Sequence, residues 1–227
     1  MRIIVLVSFL ISLFTANYVY SVDHYWIGGT GDWSATTSWS LTSGGAAGTT
    51  VPTNIDNAIF DDNSGLVSNA DIVTLDGTVT MDSLNLSAIT NSFTMSSTLA
   101  SIDVNGSIVG NNFGVNFTWV GGTINMLAST PQTILSGVIV WQQNIIINGV
   151  GSVTLLDNLT VGGNDFQVDQ GTFSANGMIL SCGNFISTTN LTRSIDITNS
   201  IVNCQDSIWM ISLPTNLTWA YSPSTIN

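Results

Sequence analysis

The last third of the 227-residue chain repeats at a near-constant interval. Units open at Ser152 (SVTLLDNLTVGG), Gly177 (GMILSCGNFIS), Ser200 (SIVNCQDSIWMIS) and Ser224 (STIN), at intervals of 25, 23 and 24 residues. Each complete unit holds an apolar triplet, a polar or glycine turn and a second apolar triplet: VTL then LTV, MIL then FIS, IVN then IWM. A period of about 20–50 residues marks stacked units, each burying the face that its neighbour leaves open. One coil of a parallel β-solenoid is about this long. The main rival, an antiparallel β-sandwich, also strings short strands between turns. It does not usually hold a strand–turn–strand unit to one period. The pattern predicts an all-β, right-handed parallel β-helix of about seven coils.

Upstream, the same grammar continues without so regular a beat. IVTL (72–75), TVTMDSLNL (78–86), SIDVNG (101–106), VNFTWVGG (115–122) and GVIVWQQNIIING (137–149) alternate apolar and polar residues between Gly, Asn and Asp. None has a helical period, and their β-branched content argues for strands. The segment His24–Gly65 differs. Trp26, Trp33 and Trp39 stand among Gly, Ser and Thr, and Asn57–Phe60 reads as a short strand. A solenoid's first coil presents an open strand edge and an open core end, which large aromatics can plug. The expected division is a leader at 1–21, an aromatic, glycine-rich cap at 22–65 and coils from 66 to 227. STIN begins a coil that it does not complete, so further chain or a partner is expected to close that end.

Composition agrees with this class. Hydrophobic residues make up 44% and charged residues 7%, the reverse of a disordered chain. All 14 acids are Asp, and Arg2, Arg193 and His24 are the basic side chains. The net charge of −12 argues against nucleic acid, whose phosphates need a basic patch, and against an anionic membrane surface. The acidity itself reads as solubility. At the start, Arg2 precedes an apolar run from Ile3 to Phe14. That is short for a membrane span of about 20 residues but suits a secretory signal. Val19 and Ser21 fit a cleavage site after Ser21, with Ala16 as a second place. The expected location is secreted or at the cell surface, with no membrane span after cleavage.

YWIGGTGDWSATTSWSLTSGGAAGTTVPTNIDNAIFDDNSG resembles the N-terminal cap of repetitive secreted or virion-associated β-solenoid surface proteins of bacteria and phages. The DNLTVGG…GTFSANGMILSCGNFIS…TRSIDITNSIV…NLTW…STIN series resembles the same group. The aromatic TWAY near the end departs from its plainer repeat. The resemblance covers nearly the whole mature chain and implies a fold and a location, including association with a virion, more than an activity.

The residues give little chemistry to an enzyme. A pectate-lyase-like solenoid needs an acid cluster for Ca²⁺ and a base, and the mature chain offers Arg193, in the turn NLTRS, and His24, near the cleavage point. Glycoside hydrolysis needs two carboxylates at a set separation. Asp61 and Asp62 are adjacent and point to opposite faces of a strand. Asp157, Asp165, Asp169 and Asp196 lie in successive units and convergence in one cleft would make them candidates; the competing reading is that they cap turns. Asp56, Asp61, Asp62 and Asn63 supply hard oxygens for Ca²⁺, and VGGNDFQVDQG (161–171) is a single imperfect echo of a calcium-binding roll. No catalytic, cofactor-binding or metal residue is assigned on these grounds. Trp119, Trp141, Trp209 and Trp219 either fill the core or its ends, or form an outward glycan-binding stripe.

Aligned by unit, Cys182 (after MILS) and Cys204 (after IVN) are offset by one residue, which puts them on opposite faces; a stacked disulfide then requires a bulge. Sequons begin at Asn85, Asn105, Asn116, Asn158, Asn190 and Asn216, and matter only in a glycosylating host. The function expected is a non-enzymatic structural or adhesive module that binds glycans or a surface. The alternatives are a polysaccharide lyase or hydrolase and, given a flat outward ladder of Thr, ice or mineral binding.

Overall fold

The computed structural model of the chain describes residues 21–97, 100–110, 115–119, 122–212 and 214–227. The leader expected at 1–21 therefore lies, except for Ser21, outside the described residues. The architecture is a β-solenoid of about seven turns, nearly all-β and about 3% helical. A β-sandwich is thereby ruled out, because among the described residues every strand pair but that of Asp23–Trp26 with Trp39–Ser40 is parallel.

Each coil visits three sides. From Asn57–Asp61 the chain passes to Ile72–Thr74, then to Val79–Met81, and returns beside its starting strand as Leu84–Ala88. Repetition of this path builds a ten-stranded sheet, a four-stranded sheet and a nine-stranded sheet. The second side continues in later coils as Leu159–Val161, which pairs with the first half of the long strand Ile179–Ser187. That strand and Ile201–Ile211 each run through what are two separate strands in earlier coils.

The alternation in the sequence is an inside–outside alternation. Inward residues stack into columns such as Ile102, Ile124, Ile145, Phe166, Phe185 and Trp209, each a direct register partner of the next. Most of these are buried. Parallel in-register stacking places like residues over like, so apolar side chains form one continuous core along the coil. Coils press closely together where Gly171 begins its strand. There φ is +77°, and a Cβ would collide with the carbonyl oxygens of Gly149 and Gly151.

Coil length is less regular than the sequence repeat implies. From Asn57–Asp61 onward, partners are as few as 19 residues apart at Phe166 and Phe185, and as many as 27 at Asp61 and Ala88. Corners absorb most of the difference, and the ladders shift register between Ile59 and Asp61 and between Cys182 and Asn184. The offset expected between the cysteines is corrected by this register. Ile179 pairs with Ile201, Leu180 with Val202 and Cys182 with Cys204. The apolar triplets used to align the units include corner residues, which shifted that alignment by one. An irregularity does exist, but beyond the cysteines: Gly183 faces Gln205, Asp206 and Ser207 before Asn184 meets Ile208.

At the N-terminal end, Trp26, Trp33, Trp39 and Phe60 are all buried. Trp26 and Trp39 meet edge to face at 5.1 Å, Trp33 and Trp39 at 4.8 Å, and Phe60 stacks on Phe93 of the next coil at 5.5 Å. Such pairs add to the burial of their large apolar areas. The antiparallel strand Trp39–Ser40 lies on the outer edge of the ten-stranded sheet and closes it.

Candidate functional site

The outer face of the ten-stranded sheet carries two columns of hydroxyls. Ser152, Thr172, Ser194 and Thr218 are successive register partners in one column. Thr133, Thr154 and Ser174 form the other, which Asp196 then continues. Residues between them point inward: Val153, Phe173 and Ile195 are buried, and Trp219 packs against the core. Ser152–Thr154 and Thr172–Ser174 are S/T-x-S/T pairs, each with an apolar middle residue that holds the pair outward, whereas Ser194 and Thr218 are followed two residues on by Asp196 and Ala220. Neighbouring rungs place hydroxyls about 4.8 Å apart along a column, and the two columns lie about 7 Å apart. Among the described residues, the side-chain hydroxyls of Ser152, Thr154, Thr172, Ser174, Ser194 and Thr218 make no hydrogen bond within the chain. Beside the first column runs a shallow groove of about 260 Å³, lined by Gln170, Thr172, Thr192, Ser194 and Thr218 among others.

This register was the missing signal in the sequence. SVT, TFS, SID and TWA recur at 152, 172, 194 and 218. Their unequal intervals hide the ladder until corners are separated from strands. Thr78 and Thr80, another closely spaced pair of threonines, lie elsewhere: Thr80 stacks on Asp103 on the nine-stranded sheet.

The four aspartates weighed as a catalytic group are each engaged with separate partners. Asp157 accepts the backbone N–H groups of Ser136 (2.6 Å) and Gly137 (2.7 Å). Asp165 accepts its bond from the Asn184 amide at 2.7 Å, while its own N–H donates to Asn144, so it is one step in an outward Asn–Asp–Asn ladder. Asp169 accepts from Gln167, and Asp196 from the N–H of Thr198. Asp196 lies on the ten-stranded sheet, whereas Asp165 abuts the nine-stranded one. The acids near the N-terminal end are similarly engaged. Asp56 accepts the N–H and hydroxyl of Thr53 and lies 3.9 Å from His24; Asp61 accepts from the N–H of Asn63; Asp62 accepts both groups of Thr90 at 2.7 Å. Asp61 is buried and Asp62 exposed, as adjacent strand positions require. Among the described residues no three Asp, Cys or His side chains group as metal ligands.

Both basic residues differ from their expected settings. Arg193 is not in a turn: it begins the strand Arg193–Asp196 and is only 2% exposed. Its guanidinium donates to the Ser187 hydroxyl at 2.5 Å and to the carbonyl oxygens of Ser187, Thr189, Leu191 and Ser212. A corner where several carbonyls turn inward needs a multiple donor, and guanidinium supplies five N–H groups. His24 is not at a loose terminus but buried in Asp23–Trp26, stacked over Ala58.

A cleft of about 460 Å³ is lined by Thr74–Thr78, Ser96, Ser97 and Ala100, with Asp76 as the one carboxylate among these residues. Burial pushes the Asp76 carboxyl up. The N–H and hydroxyl of Ser34 outweigh that and hold it below the ordinary carboxylate range.

Of the four tryptophans in doubt, Trp141 is fully buried and donates its indole N–H to Ser136 at 2.9 Å. Trp209 and Trp219 face inward at the C-terminal end, 5.5 Å apart. With Ile211, Leu217, Tyr221 and Ile226 they line an almost wholly apolar cavity of about 390 Å³. These three thus belong to the core and its end. The Trp119 side chain lies outside the described residues.

No family model, no curated protein and no solved structure matches the chain.

Proposed function

We propose that the protein is an exported, non-enzymatic structural and adhesive module that holds glycans or another hydroxyl-rich surface on the outer face of its ten-stranded sheet. The observation that carries this reading is the pair of in-register hydroxyl columns, in which the chain itself leaves the hydroxyls of Ser152, Thr154, Thr172, Ser174, Ser194 and Thr218 unspent. Parallel stacking fixes the spacing, so weak contacts repeat along a rigid face and gain from effective concentration. A secreted, cell-surface or virion-associated location fits the leader and the resemblance of the N-terminal segment. The apolar C-terminal end is a natural place for attachment to further coils or to a partner.

The test is retention of the chain from Val22 on a polysaccharide array, with and without Ca²⁺, beside a Thr154→Val/Thr172→Val/Ser194→Ala variant. Retention that falls at least about tenfold in the variant, without product, supports the reading, since three lost contacts remove about 1.5 kcal/mol or more. Release of reducing ends or unsaturated sugars overturns it in favour of a polysaccharide lyase or hydrolase. The regular lattice also favours a second reading, binding to ice or mineral. Inhibition of ice recrystallisation or crystal growth, lost in the same variant, would establish that one.

A further inference from the structure

We propose that Cys182 and Cys204 are an oxidisable pair that closes into a disulfide between adjacent coils, stapling the last complete coil to the one before it. The register makes them direct partners on parallel strands. Leu180 and Val202, two residues earlier on each strand, are both buried, so the cysteines share their inward face. Cys182 is buried in the core, and Cys204 packs against it half-covered. The two thiols are close enough to influence one another's ionisation. Neighbouring strands lie about 4.8 Å apart, within the Cα separation of about 4.4–6.8 Å that a disulfide spans. The three residues that bulge opposite Gly183 follow immediately. They free the Cys204 strand to make the small approach that bonding needs.

The asymmetry in exposure orders the chemistry. Cys204, reachable from solvent, attacks a small disulfide such as glutathione disulfide as its thiolate, forming a mixed disulfide and expelling one glutathione thiolate. The Cys182 thiolate then attacks the Cys204 sulfur and expels the second. Two cysteine thiols are oxidised to one disulfide, glutathione disulfide is reduced to two glutathione thiols, and the two protons leave with them. Burial raises both thiols above their ordinary range, so the reaction is slow near neutrality and quickens as pH rises. An exported chain would meet an oxidising compartment.

The experiment equilibrates the folded chain with glutathione disulfide, then unfolds and alkylates it for intact-mass and peptide analysis. Two adducts before oxidation and none after, with a Cys182–Cys204 cross-linked peptide, are expected. The oxidised protein should melt about 5–10 °C above the reduced one, and Cys204→Ser should show no such rise. Two alkylatable thiols after equilibration would overturn the proposal. So would glutathione retained on Cys204, a disulfide between two molecules, or an equal rise in Cys204→Ser.

Discussion

The two ends of the coil face the same physical problem and meet it differently. At the N-terminal end Trp26, Trp33 and Trp39 are at most 3% exposed and enclose one another and Phe60. An antiparallel strand covers the sheet edge there. At the C-terminal end Trp209 stacks on Phe185 at 4.4 Å and Trp219 meets Trp209, but the column then opens at Tyr221 and Ile226, 57% and 43% exposed. The difference teaches that aromatic content does not make a cap. Chain reversal does, because only a strand of opposite direction lets the tryptophans fold back over the core they terminate.

The largest effect that could break this comparison is a matched truncation. Trp39→Ala should cost about 3–5 kcal/mol in urea unfolding, as a buried indole leaves a cavity, whereas Trp219→Ala should cost about 1. Equal losses would mean that the ends are equally closed. Next, Arg193→Met probes how the C-terminal coils hold together below their open mouth. It leaves the carbonyls of Ser187, Thr189, Leu191 and Ser212 without their donor, and should lower stability by about 2–4 kcal/mol. A neutral result would show that water satisfies that corner and that it is already loose.

A change midway between the ends should act in the opposite sense. The Gln143 side chain is buried, and neither of its amide atoms has a hydrogen-bond partner within the described residues. Gln143→Leu should raise stability by about 1 kcal/mol, read from the same unfolding curves, without altering the contrast between the termini. The smallest effect concerns the tie between Ser34 and the first coil. Because the folded Asp76 carboxyl titrates below its unfolded value, its contribution is present above about pH 4 and is lost as pH falls through the folded value. Hydrogen exchange at Ser34 should therefore rise on acidification below about pH 4 in the wild type. In Asp76→Asn it should be nearly independent of pH over that range once intrinsic rates are corrected.

Much of the architecture was legible beforehand, for an identifiable reason. Runs such as SVTL, GTFSA and RSIDI alternate with a period of two, and Val153, Phe173 and Ile195 within them proved to be stacked in one inward column. The aromatic cluster of Trp26, Trp33 and Trp39 was also foreseeable, since three indoles within fourteen residues cannot all be solvated cheaply. The candidate site was less legible. The hydroxyl pairs are plain enough singly, but in an Asn-, Ser- and Thr-rich chain nothing local distinguishes Thr172, which lies in a column, from Thr78, which does not. Arg193 misled for a related reason: a single cation in a polar stretch reads as exposed until the carbonyls of the surrounding corner turn towards it.

By itself, then, the sequence determined the class of fold, its number of coils and which residue of each strand pair faces the core. These follow from strand periodicity and apolar spacing, which are local. Only the tertiary structure decided which coil positions stand over one another. That choice depends on how many residues each corner takes up, from Gly183 opposite three residues to the close stacking at Gly171. It is the choice that lines up Ser152 with Thr172, Ser194 and Thr218, and sets Cys182 beside Cys204.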